Sequence, residues 1–135
     1  MNPPELLTEF ATRYAAAWSS QDPEAMASFF EIDGSLAVNE GGPALGREAI
    51  AAKAEEFMAA FPDMVVKLDT VTLEPEHVVF HWTWTGTNTG PGGTGRAVCI
   101  SGYEVWSFGP GGLIAQSKGH YDEAEYERQV NGEPG

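Results

Sequence analysis

His81, Glu104 and Tyr14 are the side chains of this sequence best suited to moving a proton near neutral pH. Imidazole titrates there unaided, a carboxyl group on an apolar strand is pushed up toward that range, and a phenol can donate to a developing oxyanion. Strand register decides whether they meet. A tight turn over Gly109 to Gly112 places Gly102 opposite Gly119 and Glu104 opposite Ser117. Centring the longer glycine-rich loop near Pro91-Gly92 places His81 opposite Gly102. The resulting row of His81, Gly102 and Gly119 has two residues without side chains, which leaves a depression with the imidazole at its edge and Glu104 on the diagonal. Expected walls are Trp18, Phe29, Phe57 and Phe61 from helices and Ile100 and Trp106 from a strand, with Ser117 and Tyr121 completing the floor. The competing reading gives each of the three polar residues a structural role, Tyr14 as a cap on the core among them.

The elements that must position these residues follow from spacing. Leu7, Phe10, Tyr14 and Trp18 form one stripe of a helix from about Glu5 to Ser20. Asp22-Pro23-Glu24 starts a short second helix with an N-cap carboxylate and proline at its first position. A brief strand, Ser35 to Val38, runs into Gly41-Gly42-Pro43, and Gly46 opens a third helix that Pro62 ends. Four strands are expected at Met64 to Leu73, His77 to Thr87, Arg96 to Phe108 and Leu113 to Tyr121. Asp122 then caps a short final helix before an acidic tail at 131–135. Helices followed by an antiparallel meander make an α+β domain over 1–135, with a core over about 5–121 and a final helix over 122–130. The expected form is a curved antiparallel sheet wrapped around N-terminal helices, cone-shaped, with an internal pocket and the third helix across its concave face.

The same register puts Phe80, Trp82 and Trp84 on the opposite face with Tyr103, Val105, Lys118 and His120. So large an aromatic face must be covered, either by the helices, which would invert the assignment, or by a second copy. The homodimer through Trp82 and Trp84 is the favoured expectation. The 135 residues carry 20 acidic and 7 basic side chains, a net charge of −13, which argues against nucleic acid and anionic membrane as partners. The single cysteine, Cys99, allows no internal disulfide, and the N-terminus lacks a signal-peptide pattern, so a cytoplasmic location is expected. His77, His81 and His120 share no metal-ligand spacing, and the glycine loop lacks a phosphate-binding fingerprint, so no metal or cofactor is expected.

The stretches SFFEIDGSL, GREAI, AFPDM, GTNTGPGGTGRAV and DEAEYERQV, in this order, resemble the SnoaL-like branch of the nuclear transport factor 2-like superfamily. The resemblance spans nearly the whole chain and implies that fold and homodimerisation. It implies no single chemistry, because the superfamily includes isomerases, dehydratases, cyclases, epoxide hydrolases and binding domains. The positions matching the charged residues of limonene epoxide hydrolase are Thr85, Thr87 and Gly119, and the position of the ketosteroid isomerase base is Val38 or Ala37. Neither mechanism carries over. His81 and His120 are only loosely similar to the histidine pair of scytalone dehydratase. Two functions stay open: a cofactor-independent acid-base isomerase, cyclase, dehydratase or hydratase acting on a small apolar molecule such as a secondary metabolite, and a non-catalytic ligand-binding or dimerisation domain.

Overall fold

The structure is a computed structural model that describes residues 3–39 and 41–132. Helix α1 (Pro3–Ser19) is followed by α2 (Pro23–Ala27), β1 (Phe30–Val38), β2 (Ala44–Leu45) and α3 (Gly46–Ala60). Four strands come next, β3 (Val65–Leu73), β4 (Val78–Thr87), β5 (Ala97–Phe108) and β6 (Ile114–Tyr121), and α4 (Glu123–Asn131) closes the order. The expected α+β architecture is present. The Asp22 carboxylate caps α2 by accepting from the Glu24 and Ala25 amides, and Asp122 caps α4 through the Glu125 amide. Asn131 belongs to α4, and the tail residues after Gly132 lie outside those described.

The six strands form one sheet in the order β2-β1-β6-β5-β4-β3. It is mixed rather than wholly antiparallel, because β6 inserts beside β1 and runs parallel to it, pairing Leu36 with Ser117 and Val38 with Gly119. Helix α1 packs on β3, while α3 packs on β1 and α2, so the cover of the inner face is shared and not left to α3 alone. Burial alternates along β4: Val78, Phe80, Trp82 and Trp84 are buried, and the residues between them are half-exposed.

Two register expectations failed by different amounts. Between β5 and β6, Glu104 faces Gly119 and Trp106 faces Ser117, a slip of two residues: one at the turn, where Phe108 pairs with Ile114 and not with Leu113, and one at an irregularity after Ser107. A slip of two keeps each side chain on its face, so Glu104 still points inward. Between β4 and β5, Trp82 and not His81 faces Gly102, and His81 faces Tyr103. That single-residue difference turns His81 to the outer face and brings Phe80, Trp82 and Trp84 under the helices. The homodimer expected through the face carrying Trp82 and Trp84 loses its basis, since both rings are covered within the chain.

The loop responsible is built around Asn88. Its Oδ1 accepts from the Thr94 amide, its carbonyl accepts from the Gly95 amide, and its side-chain amide donates to the Ala60 carbonyl. Gly90 donates to the same Ala60 carbonyl and lies so close to α3 that a Cβ there would stand 2.0 Å from the Ala59 carbonyl oxygen. Nothing lies within 4 Å of a Cβ built at Gly42. Gly90→Ala is therefore expected to lose about 1–3 kcal/mol in urea unfolding, with Gly42→Ala close to wild type. Equal stability of the two variants would remove the steric argument.

Candidate functional site

Glu104 sits mid-strand on β5, buried on the inner face at 7% exposure. Three donors from three elements meet on one of its oxygens. The Tyr14 hydroxyl of α1 donates to Oε1 at 2.9 Å, the Trp106 indole of β5 at 2.9 Å and the Ser117 hydroxyl of β6 at 2.7 Å. Tyr14 reaches the carboxylate because its helix stripe is aromatic: its ring meets Trp106 at 5.1 Å and Phe80 at 5.4 Å, both edge-on. Oε2 receives no hydrogen bond from the described residues.

Glu104 also lines a cavity of about 70 Å³. Its other walls are Trp18 and Phe57 from helices, Leu36 and Val38 from β1, Met64 just before β3 and Val66 within it, Trp82 and Trp84 from β4, and Gly119 and Tyr121 from β6. The space holds several waters or a small organic group, and its lining is almost wholly apolar. Gly119, expected opposite Gly102, stands opposite Glu104 instead and contributes no side chain there, and a Cβ built on it would lie 3.5 Å from the Glu104 Cγ.

Burial raises the Glu104 carboxyl above its ordinary value of 4.5, against the pull of the hydrogen bonds from Ser117, Trp106 and Tyr14, which favour the ionised form. Burial, and then the neighbouring carboxylate, push Tyr14 well above 10, so the phenol stays protonated and donates. Tyr121 is pushed up to about 12 by burial, then by Tyr126, Glu123 and Glu127.

Of the expected catalytic trio, Glu104 and Tyr14 are together and His81 is not. His81 lies on the outer face, its ring 6.0 Å from that of Tyr103, which in turn is 5.0 Å from His120. Trp18, Phe57, Gly119 and Tyr121 line the cavity as expected, whereas Trp106 and Ser117 act one layer behind it through Glu104. Phe29, Phe61 and Ile100 belong to the surrounding core, and Gly102 lies beneath the Trp82 ring, its position blocked by that ring and by the His120 carbonyl. The lining residues missed were Leu36, Val38, Met64 and Val66 and, most consequentially, Trp82 and Trp84. Their signal was present: alternate aromatics at Phe80, Trp82 and Trp84 are the most apolar stripe of β4, and burial of that stripe outweighs any count across a long loop.

Two polar atoms at this site have no partner. The Trp82 and Trp84 indole nitrogens are buried and make no hydrogen bond. A buried donor without an acceptor costs about 1–3 kcal/mol. Among the described residues, no three His, Cys, Asp or Glu side chains gather to hold a metal ion, and no helix is long and apolar enough to cross a membrane.

The raised Glu104 pKa links the site to stability. The folded state holds the proton more tightly than the unfolded chain, so this group's contribution is full below about 4.5 and is lost as pH rises through the raised value. Glu104→Gln is expected to lack that loss, seen as a pH-dependent difference from wild type in urea unfolding. Ser117→Ala removes a donor to the carboxylate and is expected to raise the Glu104 pKa further in a ¹³C carboxyl titration; a fall would contradict the assigned hydrogen bond.

The SnoaL-like polyketide cyclase family model matches residues 8–130. No curated protein matches the sequence. Among solved structures, a hypothetical protein with a ketosteroid isomerase-like fold from Catenulispora acidiphila, in complex with trimethylamine, is 21% identical with a TM-score of 0.80, covering 91% of this chain and 92% of that one. TsrD from Streptomyces laurentii is 19% identical with a TM-score of 0.80, covering 96% and 98%. TerC co-crystallised with polyporic acid is 15% identical with a TM-score of 0.74, covering 92% and 97%. At these identities the structural likeness establishes the fold, while the family match extends over nearly the whole sequence. The chain belongs to the SnoaL-like polyketide cyclase family.

Proposed function

We propose that this chain binds a small, mainly apolar organic molecule and catalyses cofactor-independent proton transfer on it, with Glu104 as the group that takes and returns the proton. The observation that carries this reading is the division of labour within one carboxyl group: Oε1 is held by three donors and Oε2 receives none in a cavity with apolar walls. A carboxyl group so fixed is oriented without being neutralised, and burial brings its affinity for a proton closer to that of carbon and oxygen acids activated by a carbonyl. Tyr14, Trp106 and Ser117 are positioning residues. Isomerisation, cyclisation, dehydration and hydration all use such a step. Organic ligands in two structures of this fold, trimethylamine in one and polyporic acid in the other, support a ligand-binding role.

One observation favours the second reading, a binding domain without catalysis. Among the described residues, Tyr121 is the only titratable residue besides Glu104 that lines the cavity, and at about 12 it offers no second acid or base near neutral pH. Proton exchange in D₂O, followed by NMR on small cyclic ketones and enones, separates the two. Wild type is expected to accelerate exchange at the carbon next to the carbonyl, Glu104→Gln to lose about 10²–10⁴-fold, and His81→Ala to match wild type. Binding of these probes without any acceleration would establish the binding-domain reading instead.

A further inference from the structure

Four glycines stand inside the described strands: Gly34 in β1, Gly86 in β4, Gly102 in β5 and Gly119 in β6. Glycine weakens a strand, because it loses more backbone freedom on folding and packs no side chain, so each position calls for a reason. For three of them the reason is crowding. A Cβ would stand 3.0 Å from the Glu31 and Ile114 carbonyl oxygens at Gly34, 3.2 Å from the Phe61 Cβ at Gly86, and 2.4 Å from the His120 carbonyl oxygen at Gly102. Gly119 has no such reason. Its Cβ would meet the Glu104 Cγ at 3.5 Å and the Ala37 carbonyl oxygen at 3.6 Å, both ordinary van der Waals distances, and its φ lies outside the left-handed region. Among the described residues, its chain neighbours aside, no other heavy atom comes within 4 Å of that point.

Gly119 lines the cavity, and alternation along β6 puts its missing side chain on the inner face with those of Ser117 and Tyr121. Val38 of β1, Gly119 of β6, Glu104 of β5 and Phe80 of β4 form one row across the sheet. Phe80, fully buried, walls Glu104 on one flank, and on the other Gly119 leaves a gap between Glu104 and Val38. The two strand donors to Oε1, Trp106 and Ser117, belong to the neighbouring row, where they pair with each other. The network that holds Glu104 therefore does not use the gap.

We infer that Gly119 is a specificity-determining residue of this site: the space left by its missing side chain is the seat of the ligand atom that meets the Glu104 carboxyl group, and that space limits what can approach it. The inference rests on the cavity being the ligand site, as in the function proposed above, and names the position that controls access to the reacting group. A strand glycine with neither a crowded Cβ nor a left-handed backbone costs the fold stability, and no protein atom takes the space in exchange. Gly102 makes the contrast, since the Trp82 ring occupies its missing side chain's place at 2.6 Å. One methyl group at position 119 would fit the strand and fill the seat.

Gly119→Ala and Gly102→Ala, compared with wild type, provide the test. In urea unfolding the midpoint of Gly119→Ala is expected at or above that of wild type, and that of Gly102→Ala below it. Xenon, which enters apolar cavities, then reads the space without any chemistry. In wild type it is expected to shift the Glu104 carboxyl ¹³C resonance and the methyl resonances of Val38 and Val66. In Gly119→Ala the Glu104 shift is expected to vanish while that of Val66, on a strand three places from β6, persists. Proton exchange of cyclopentanone in D₂O is expected to fall about tenfold or more in Gly119→Ala, the usual effect of one methyl group too many in an apolar pocket. Early unfolding of Gly119→Ala like that of Gly102→Ala, a wild-type xenon response at Glu104 in Gly119→Ala, or no such response in wild type would overturn the inference. The xenon arm keeps the two proposals apart. A response at Glu104 that depends on Gly119 supports the seat even where wild type accelerates no exchange, whereas exchange lost in Glu104→Gln but unchanged in Gly119→Ala removes the seat and leaves the catalytic reading standing.

Discussion

A carboxyl group buried in an aromatic core must be held by donors or it destabilises the fold, and this constraint organises the molecule. Glu104 is held from α1, β5 and β6 at once, through Tyr14, Trp106 and Ser117. Those bonds tie the first helix to the last strand across a sequence separation of about the whole domain. All three donors end on the same oxygen, so the network that supports the fold leaves the other oxygen outside it. Structure and chemistry thus share one residue without competing for the same atom.

Around that residue the aromatic rings do two kinds of work. Tyr14, Phe80 and Trp106 pack against one another, with Phe80 and Trp106 stacked at 4.9 Å, and fix the donors to Glu104. Trp84 joins Phe57, Phe61, Tyr121 and Tyr126 in a second cluster that draws α4 onto the sheet. Helix α4 is otherwise polar and has no buried residue of its own. Its attachment is completed by the Gln129 side chain, which accepts from the Cys99 amide and donates to the Cys99 carbonyl as a further strand would. The short final helix therefore supports a wall of the cavity.

The fold was legible in the sequence because its signals are local. Helical stripes, the Asp22 and Asp122 caps and the glycine turns each depend on a few neighbouring residues, and all but the two-residue strand β2 and the early start of β1 were placed. The candidate site was legible in part. Tyr14, Glu104, Ser117 and Gly119 were brought together by a turn whose register slipped by two residues, which changed the partners and kept the face.

His81 marks where sequence reasoning stopped. Its face depended on the path of the loop between Thr87 and Ala97, and that path is set by contacts outside the hairpin: Asn88 and Gly90 both bond the end of α3. Local turn chemistry contains no record of such an anchor, so a one-residue error there exchanged a histidine for the tryptophans. What the sequence by itself determined was the set of elements, their order, and which strand positions alternate, because these follow from backbone propensity and periodicity. Which of two alternating rows lines the cavity, and that two indole donors stand there without acceptors, was decided only when a helix end, a loop and a sheet closed on one another, since parity across a long loop is a property of tertiary contact.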